Sequence, residues 1–135
     1  MNDVLSEIIA HKKIEVAARK EQLPLEGLEK ELAVTTDIPF RSMKRALESS
    51  SSGIIAEFKR RSPSKGWLNQ SAIAFEVTRG YELAGAAGLS VLTDEKYFGG
   101  GMGDLQQAVG SGQIPVMRKE FIVDEYQLYE AKLGG

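Results

Sequence analysis

Glu57 and Lys59 are a pair whose types and spacing could do chemistry. They close the run Ile54-Ile55-Ala56-Glu57-Phe58-Lys59, which starts apolar, follows Gly53 and turns abruptly charged. Such a run reads as a short buried strand, and alternate residues of a strand share a face. A carboxylate and an ammonium, the groups of acid–base chemistry, then leave one face at the carboxyl end of a strand, where α/β folds place their reactive groups. The competing reading is an ion pair at a strand end, which is common. Further on, Lys119 stands in Arg118-Lys119-Glu120 and by itself reads as part of a surface charge cluster. Ser62 by itself reads as the start of the Pro63 turn, and Phe98 and Phe121 as core residues.

The elements that must position these residues alternate along the chain. Asp3 fits the cap of an amphipathic helix with apolar positions Val4, Ile8, Ile9, Ile14 and Val16, and Pro24 ends it. Acid at Glu7 precedes base at Lys12, Lys13, Arg19 and Lys20, as the helix dipole prefers. His11 reads as a solvated residue of that helix. Leu25, Leu28 and Leu32 predict a short helix, residues 35–39 a linker, and residues 40–47 another helix with Phe40, Met43 and Leu47 on one face. Serines 49–52 with Gly53 form a turn.

From there strands and helices take turns. Residues 54–58 are a strand and 59–66 a loop. Ser71 is the expected cap of a helix to about residue 86, with Ile73, Val77, Tyr81 and residues 83–84 inward and Gly85 and Gly88 closing it. Residues 89–93 are a strand leading to a polar, aromatic loop with Gly99-Gly100-Gly101. Asp104 starts a helix through 105–109, residues 114–117 are a third strand, and Asp124 caps a last helix. This alternation predicts parallel βαβ units with right-handed crossovers, in a (βα)8 barrel or a doubly wound sheet. No glycine-rich phosphate fingerprint follows the first strand, and the glycine run reads as flexible loop.

Composition narrows the function classes. The 135 residues suit one domain with a real core, and a net charge of −2 gives no footing for a nucleic-acid partner. With no cysteine and one histidine, neither a disulfide framework nor a thiolate or histidine metal cluster is expected. No metal or cofactor is expected, nor a membrane partner, since no apolar run approaches a membrane span. The N-terminus does not read as a secretory signal, and a cytoplasmic location is the expectation.

Taken together, the strand ends resemble one family. Glu-x-Lys-x-x-Ser-Pro-Ser at 57–64 and Lys-Glu-Phe-Ile at 119–122 are specific in combination. Residues 54–66, 89–99 and 115–123 resemble the first three strand segments of indole-3-glycerol-phosphate synthase, a (βα)8-barrel enzyme of tryptophan biosynthesis. The N-terminal helices resemble the extension ahead of that barrel. The resemblance implies an α/β fold of the (βα)8 TIM-barrel family, with residues 1–52 as helical extension and 53–135 as the first three βα units. It implies a carboxy-lyase that closes the ring of a phosphorylated small molecule, 1-(2-carboxyphenylamino)-1-deoxyribulose 5-phosphate. Lys119 matches the family's general acid; Glu57 and Lys59 match its proton-transfer and anion-holding partners. Ser62 matches a serine near the phosphate, and Phe98 and Phe121 match aromatics of the anthranilate pocket. Glu120 stands where the family often has aspartate. A complete barrel needs about 250 residues. The chain thus reads as the N-terminal half, expected to be inactive alone and prone to self-association. A different phosphate-binding barrel enzyme is the alternative.

Overall fold

The computed structural model describes residues 3–135, which fall into two compact units. One runs up to Ile38 and includes Phe121–Gly134; the other is Pro39–Glu120 with Gly135.

The second unit holds the sheet. It starts with helix α3 (Met43–Ser49), capped by the Ser42 hydroxyl, which accepts the Arg45 N–H at 3.2 Å. Phe40 lies outside this helix and is 86% exposed, so the expected Phe40–Met43–Leu47 face does not form. Strands β1 (Ile55–Phe58), β4 (Gly88–Leu92) and β5 (Val116–Lys119) make a parallel sheet in the order β1-β4-β5. Between β1 and α4 (Ala74–Leu83), the predicted loop contains a small antiparallel pair, β2 (Arg61–Ser62) with β3 (Gly66–Trp67). Helix α5 (Met102–Ser111) connects β4 to β5.

The parallel pairing needs central β4 to be apolar on both faces, and all five of its residues are buried. Alternation then sorts the flanking strands. Ala56 and Phe58, Leu89 and Val91, and Val116 pack with Ala74, Leu105 and Ala108 of the helices. Ile55, Glu57, Ser90, Leu92, Met117 and Lys119 take the opposite face by the same alternation.

Several expected boundaries move. Ser71 does not cap α4, because its hydroxyl donates to the Asn69 side chain. The helix starts at Ala74, and Gln107 of α5 accepts the Phe75 N–H instead. Ile73 and Leu83, expected inward, are 49% and 75% exposed. Gly85, at φ 99°, ends the helix, with the Ala86 N–H reaching back to the Tyr81 carbonyl. Gly88 is not a terminator but the first residue of β4. Asp104 is not the start of α5; it lies in the first turn and is buried. The third strand extends through Arg118 and Lys119, while Gln113 and Ile114 precede it, their N–H groups held by the Glu82 carboxylate.

The other unit is helical: α1 (Val4–Gln22), α2 (Leu25–Val34) and α6 (Tyr126–Gly134). Asp3 caps α1 by accepting the Ser6 N–H at 2.7 Å, and Asp124 caps α6 through the Tyr126 N–H. Val16, Leu28 and Tyr126 form the core, with Leu23, Leu25, Val123, Tyr129 and Leu133 around it. Of the apolar positions expected to face inward on α1, Ile8 and Val16 are buried whereas Ile14 is 69% exposed. Lys12 lies between them at four-residue spacing, buried and 2.7 Å from Glu15. No described helix is long and apolar enough to cross a membrane.

Candidate active site

The carboxyl end of the sheet gathers the charged residues on its open face. Glu57 is the hub. Its carboxylate lies 2.8 Å from Lys119 Nζ on β5 and 3.7 Å from Lys59 Nζ just past β1, and it accepts the Ser90 hydroxyl of β4 at 3.2 Å. Three adjacent strands thus converge on one carboxylate, with 62 residues of chain between Glu57 and Lys119. Burial works to raise the Glu57 pKa. The hydrogen bond and charge of Lys119, the Ser90 hydroxyl and the charge of Lys59 together outweigh it and hold the carboxyl below its ordinary range. Glu57 is therefore ionised at neutral pH.

This arrangement suits a proton donor poised beside an anionic partner, with a second cation at hand. The Lys119 side chain is 53% exposed and meets water.

Ser62, on β2, is buried; its hydroxyl accepts the Lys65 N–H at 3.2 Å and shapes the hairpin turn. Phe98 is half-buried; its N–H donates to Asp94 and its carbonyl accepts the Arg61 N–H. Phe121 belongs to the helical unit, where its carbonyl accepts from Gln127 Nε2 at 2.9 Å. The glycine run is seated rather than loose. The Gly99 and Gly100 N–H groups donate to the Glu95 and Asp94 carbonyls, and a Cβ on Gly100 would run into the Leu92 carbonyl oxygen.

Two polar clusters went unread in the sequence. Arg60 donates twice to Asp104, its Nη2 at 2.8 Å, and also to the Ala72 and Gly99 carbonyls, with its guanidinium over the Phe58 ring. Arg118 and Glu120 are joined through Thr93 on the helix-packed face. Strand period two, extended past Phe58 and Met117, was the available signal for both. A groove of about 460 Å³ in the helical unit, lined by Lys13, Val16, Ala17, Lys20, Val123 and Asp124, contains none of these groups.

Comparison with known proteins shows the family of the chain. A sequence model of the indole-3-glycerol phosphate synthase family matches residues 5–135. Similar proteins carry the same name: one from Bacteroides thetaiotaomicron is 54% identical, one from Burkholderia cenocepacia 43% and one from Polynucleobacter asymbioticus 41%. All of the present chain is covered in each case, and 51%, 52% and 53% of those proteins respectively. The chain spans about half the length of the curated relatives it matches. Its strand–helix order is the beginning of that family's (βα)8 barrel, and the chain belongs to the indole-3-glycerol phosphate synthase family.

Proposed function

We propose that the whole protein makes indole-3-glycerol phosphate from 1-(2-carboxyphenylamino)-1-deoxyribulose 5-phosphate, releasing carbon dioxide and water, as a carbon–carbon lyase of tryptophan biosynthesis. The observation that carries this reading is the Glu57–Lys59–Lys119 cluster at the sheet's carboxyl end. In this reaction the Lys119 ammonium gives a proton to the ketone oxygen while the aromatic carbon attacks the carbonyl carbon. The ring carboxylate leaves as carbon dioxide, and loss of water completes the indole. Glu57 orients Lys119 and assists proton transfer, and Lys59 holds substrate anions. Ser62 is assigned to the phosphate, and Phe98 and Phe121 to the anthranilate ring. A phosphorylated intermediate does not cross membranes, so this reading carries a cytoplasmic location with it. A barrel needs about 250 residues to close, and the 135-residue chain by itself is read as inactive.

The test is indole fluorescence after adding the substrate to purified protein of the relatives' full length, with the 135-residue chain assayed beside it. Product from the long protein and none from the short one is expected. No product from the long protein above the uncatalysed background overturns the assignment, and product from the short chain overturns the assignment of inactivity.

A further inference from the structure

Directly behind Lys119, the helix-packed face carries a second polar group of residues. Thr93, the residue after β4, is 6% exposed. Its backbone N–H donates to the Lys119 carbonyl at 3.1 Å. Its hydroxyl donates to Glu120 Oε2 at 2.9 Å and accepts from Arg118 Nε at 3.0 Å. Arg118 Nη2 lies 3.8 Å from the same Glu120 oxygen, and the two side chains are only 5% and 2% exposed. One threonine therefore holds the peptide of Lys119 and the side chains of both its neighbours.

Stability gives little reason for such a cluster. Desolvating an arginine and a glutamate costs several kcal/mol each, roughly what their attraction returns, and apolar residues of similar volume often serve as well. Register gives a better reason. Among the described residues β5 pairs on one side only, with β4, and Lys119 is its last paired residue. A slip of one residue would turn Lys119 to the helix side and Arg118 to the open side. With Arg118 and Glu120 locked to Thr93 on one face, that slip would break the whole network and leave its charges unpaired. Fixing register is the best-attested use of buried polar groups.

We propose that Thr93, Arg118 and Glu120 form a positioning device that fixes the end of β5 so that the Lys119 side chain meets Glu57. This rests on the reading of Lys119 as the working acid. The three residues act through Lys119 and do not themselves touch substrate.

Thr93→Val keeps the shape and removes the hydroxyl, and Thr93→Ser keeps the hydroxyl. The readout is the titration midpoint of the Glu57 carboxyl, followed by carbon NMR on the 135-residue chain, beside urea unfolding of each variant. Glu57 faces Lys119, Lys59 and the Ser90 hydroxyl, and Lys119 is the strongest influence holding its pKa down against burial. In Thr93→Val the midpoint should rise toward that of Lys119→Met, and in Thr93→Ser it should stay with the parent. A midpoint unmoved in Thr93→Val, with stability lowered, would reduce the network to a merely structural role and overturn the proposal. Should Thr93→Val not fold, Arg118→Lys keeps the charge but loses the Nε donor, and the same two outcomes decide. Product formation is not read, so a failed Lys119 assignment and a failed positioning device leave different signatures.

Discussion

On the open face of the sheet, Glu57, Lys59 and Lys119 carry charge on side chains that are 31%, 31% and 53% exposed. On the helix-packed face, Arg60, Asp104, Arg118 and Glu120 carry theirs at 16%, 9%, 5% and 2%. Lys59 and Arg60, and Arg118, Lys119 and Glu120, are neighbours in sequence sent to opposite sides by strand alternation, while Asp104 comes from the first turn of α5. The partners differ as well. Behind the sheet, Arg60 binds a carboxylate, two backbone carbonyls and a ring face, so its geometry is fixed from several directions. In front, Lys59 approaches Glu57 only to 3.7 Å. The buried charges are committed to the fold, whereas the exposed ones keep donors that a substrate could take.

The contrast can be broken first at the back. Asp104→Ala leaves the Arg60 guanidinium without its carboxylate in a largely buried place. Breaking a buried pair in this way costs about 3 kcal/mol or more. Urea unfolding of the 135-residue chain should show a midpoint lowered accordingly. A loss under about 1 kcal/mol, the range of exposed pairs, would mean that the two faces do not differ in kind.

The front should respond in the opposite sense. Lys119→Met keeps the apolar stem and removes the ammonium. Turnover of the full-length enzyme should fall at least ~100-fold, about 2.7 kcal/mol of barrier, while stability stays within about 0.5 kcal/mol of the parent. A change confined to substrate affinity would make Lys119 an anion anchor rather than an acid.

How much of this was legible depended on the range of the interaction. Period two placed Glu57 and Lys59 on one face, and the structure keeps them there. The alternating elements were readable because β4 is apolar except at Ser90 and glycine ends α4 beside it. The Gln107 side chain that caps α4 was not, because it arrives from a different helix. Ser90 was invisible inside an apolar run until the β1–β4 register set it opposite Glu57. Ser71 and Asp104 have the chemistry of caps, but Asn69, two residues back, claimed the first and Arg60, 44 residues back, the second. Lys119 was recognisable as more than a surface charge only through the family motif, since its partner lies on a strand far back in the chain.

The smallest expected effect concerns association of two copies of the 135-residue chain. The self-association expected of a half-barrel would need an open face lined by the strands' apolar residues. Alternation instead sends Ala56, Phe58, Leu89, Val91 and Val116 into the helix-packed core. Toward the open side, Ile55 and Met117 remain exposed at 42% and 43%, while Leu92 between their strands is only 3% exposed. The apolar area available to a second copy is therefore small, and it is interrupted by Glu57, Lys59 and Lys119. Strands β1 and β5 each still offer one unpaired edge among the described residues, which is a template for pairing. We propose that two copies meet weakly through these edges, opposed by the crowding of their ammoniums. Light scattering should then show an average mass that rises with concentration, more so in high salt, which screens those charges. Met117→Lys adds a cation on an edge strand and should remove the rise. A monomer at every concentration and salt, melting cooperatively, would show that the open face needs no partner and would end the case for self-association.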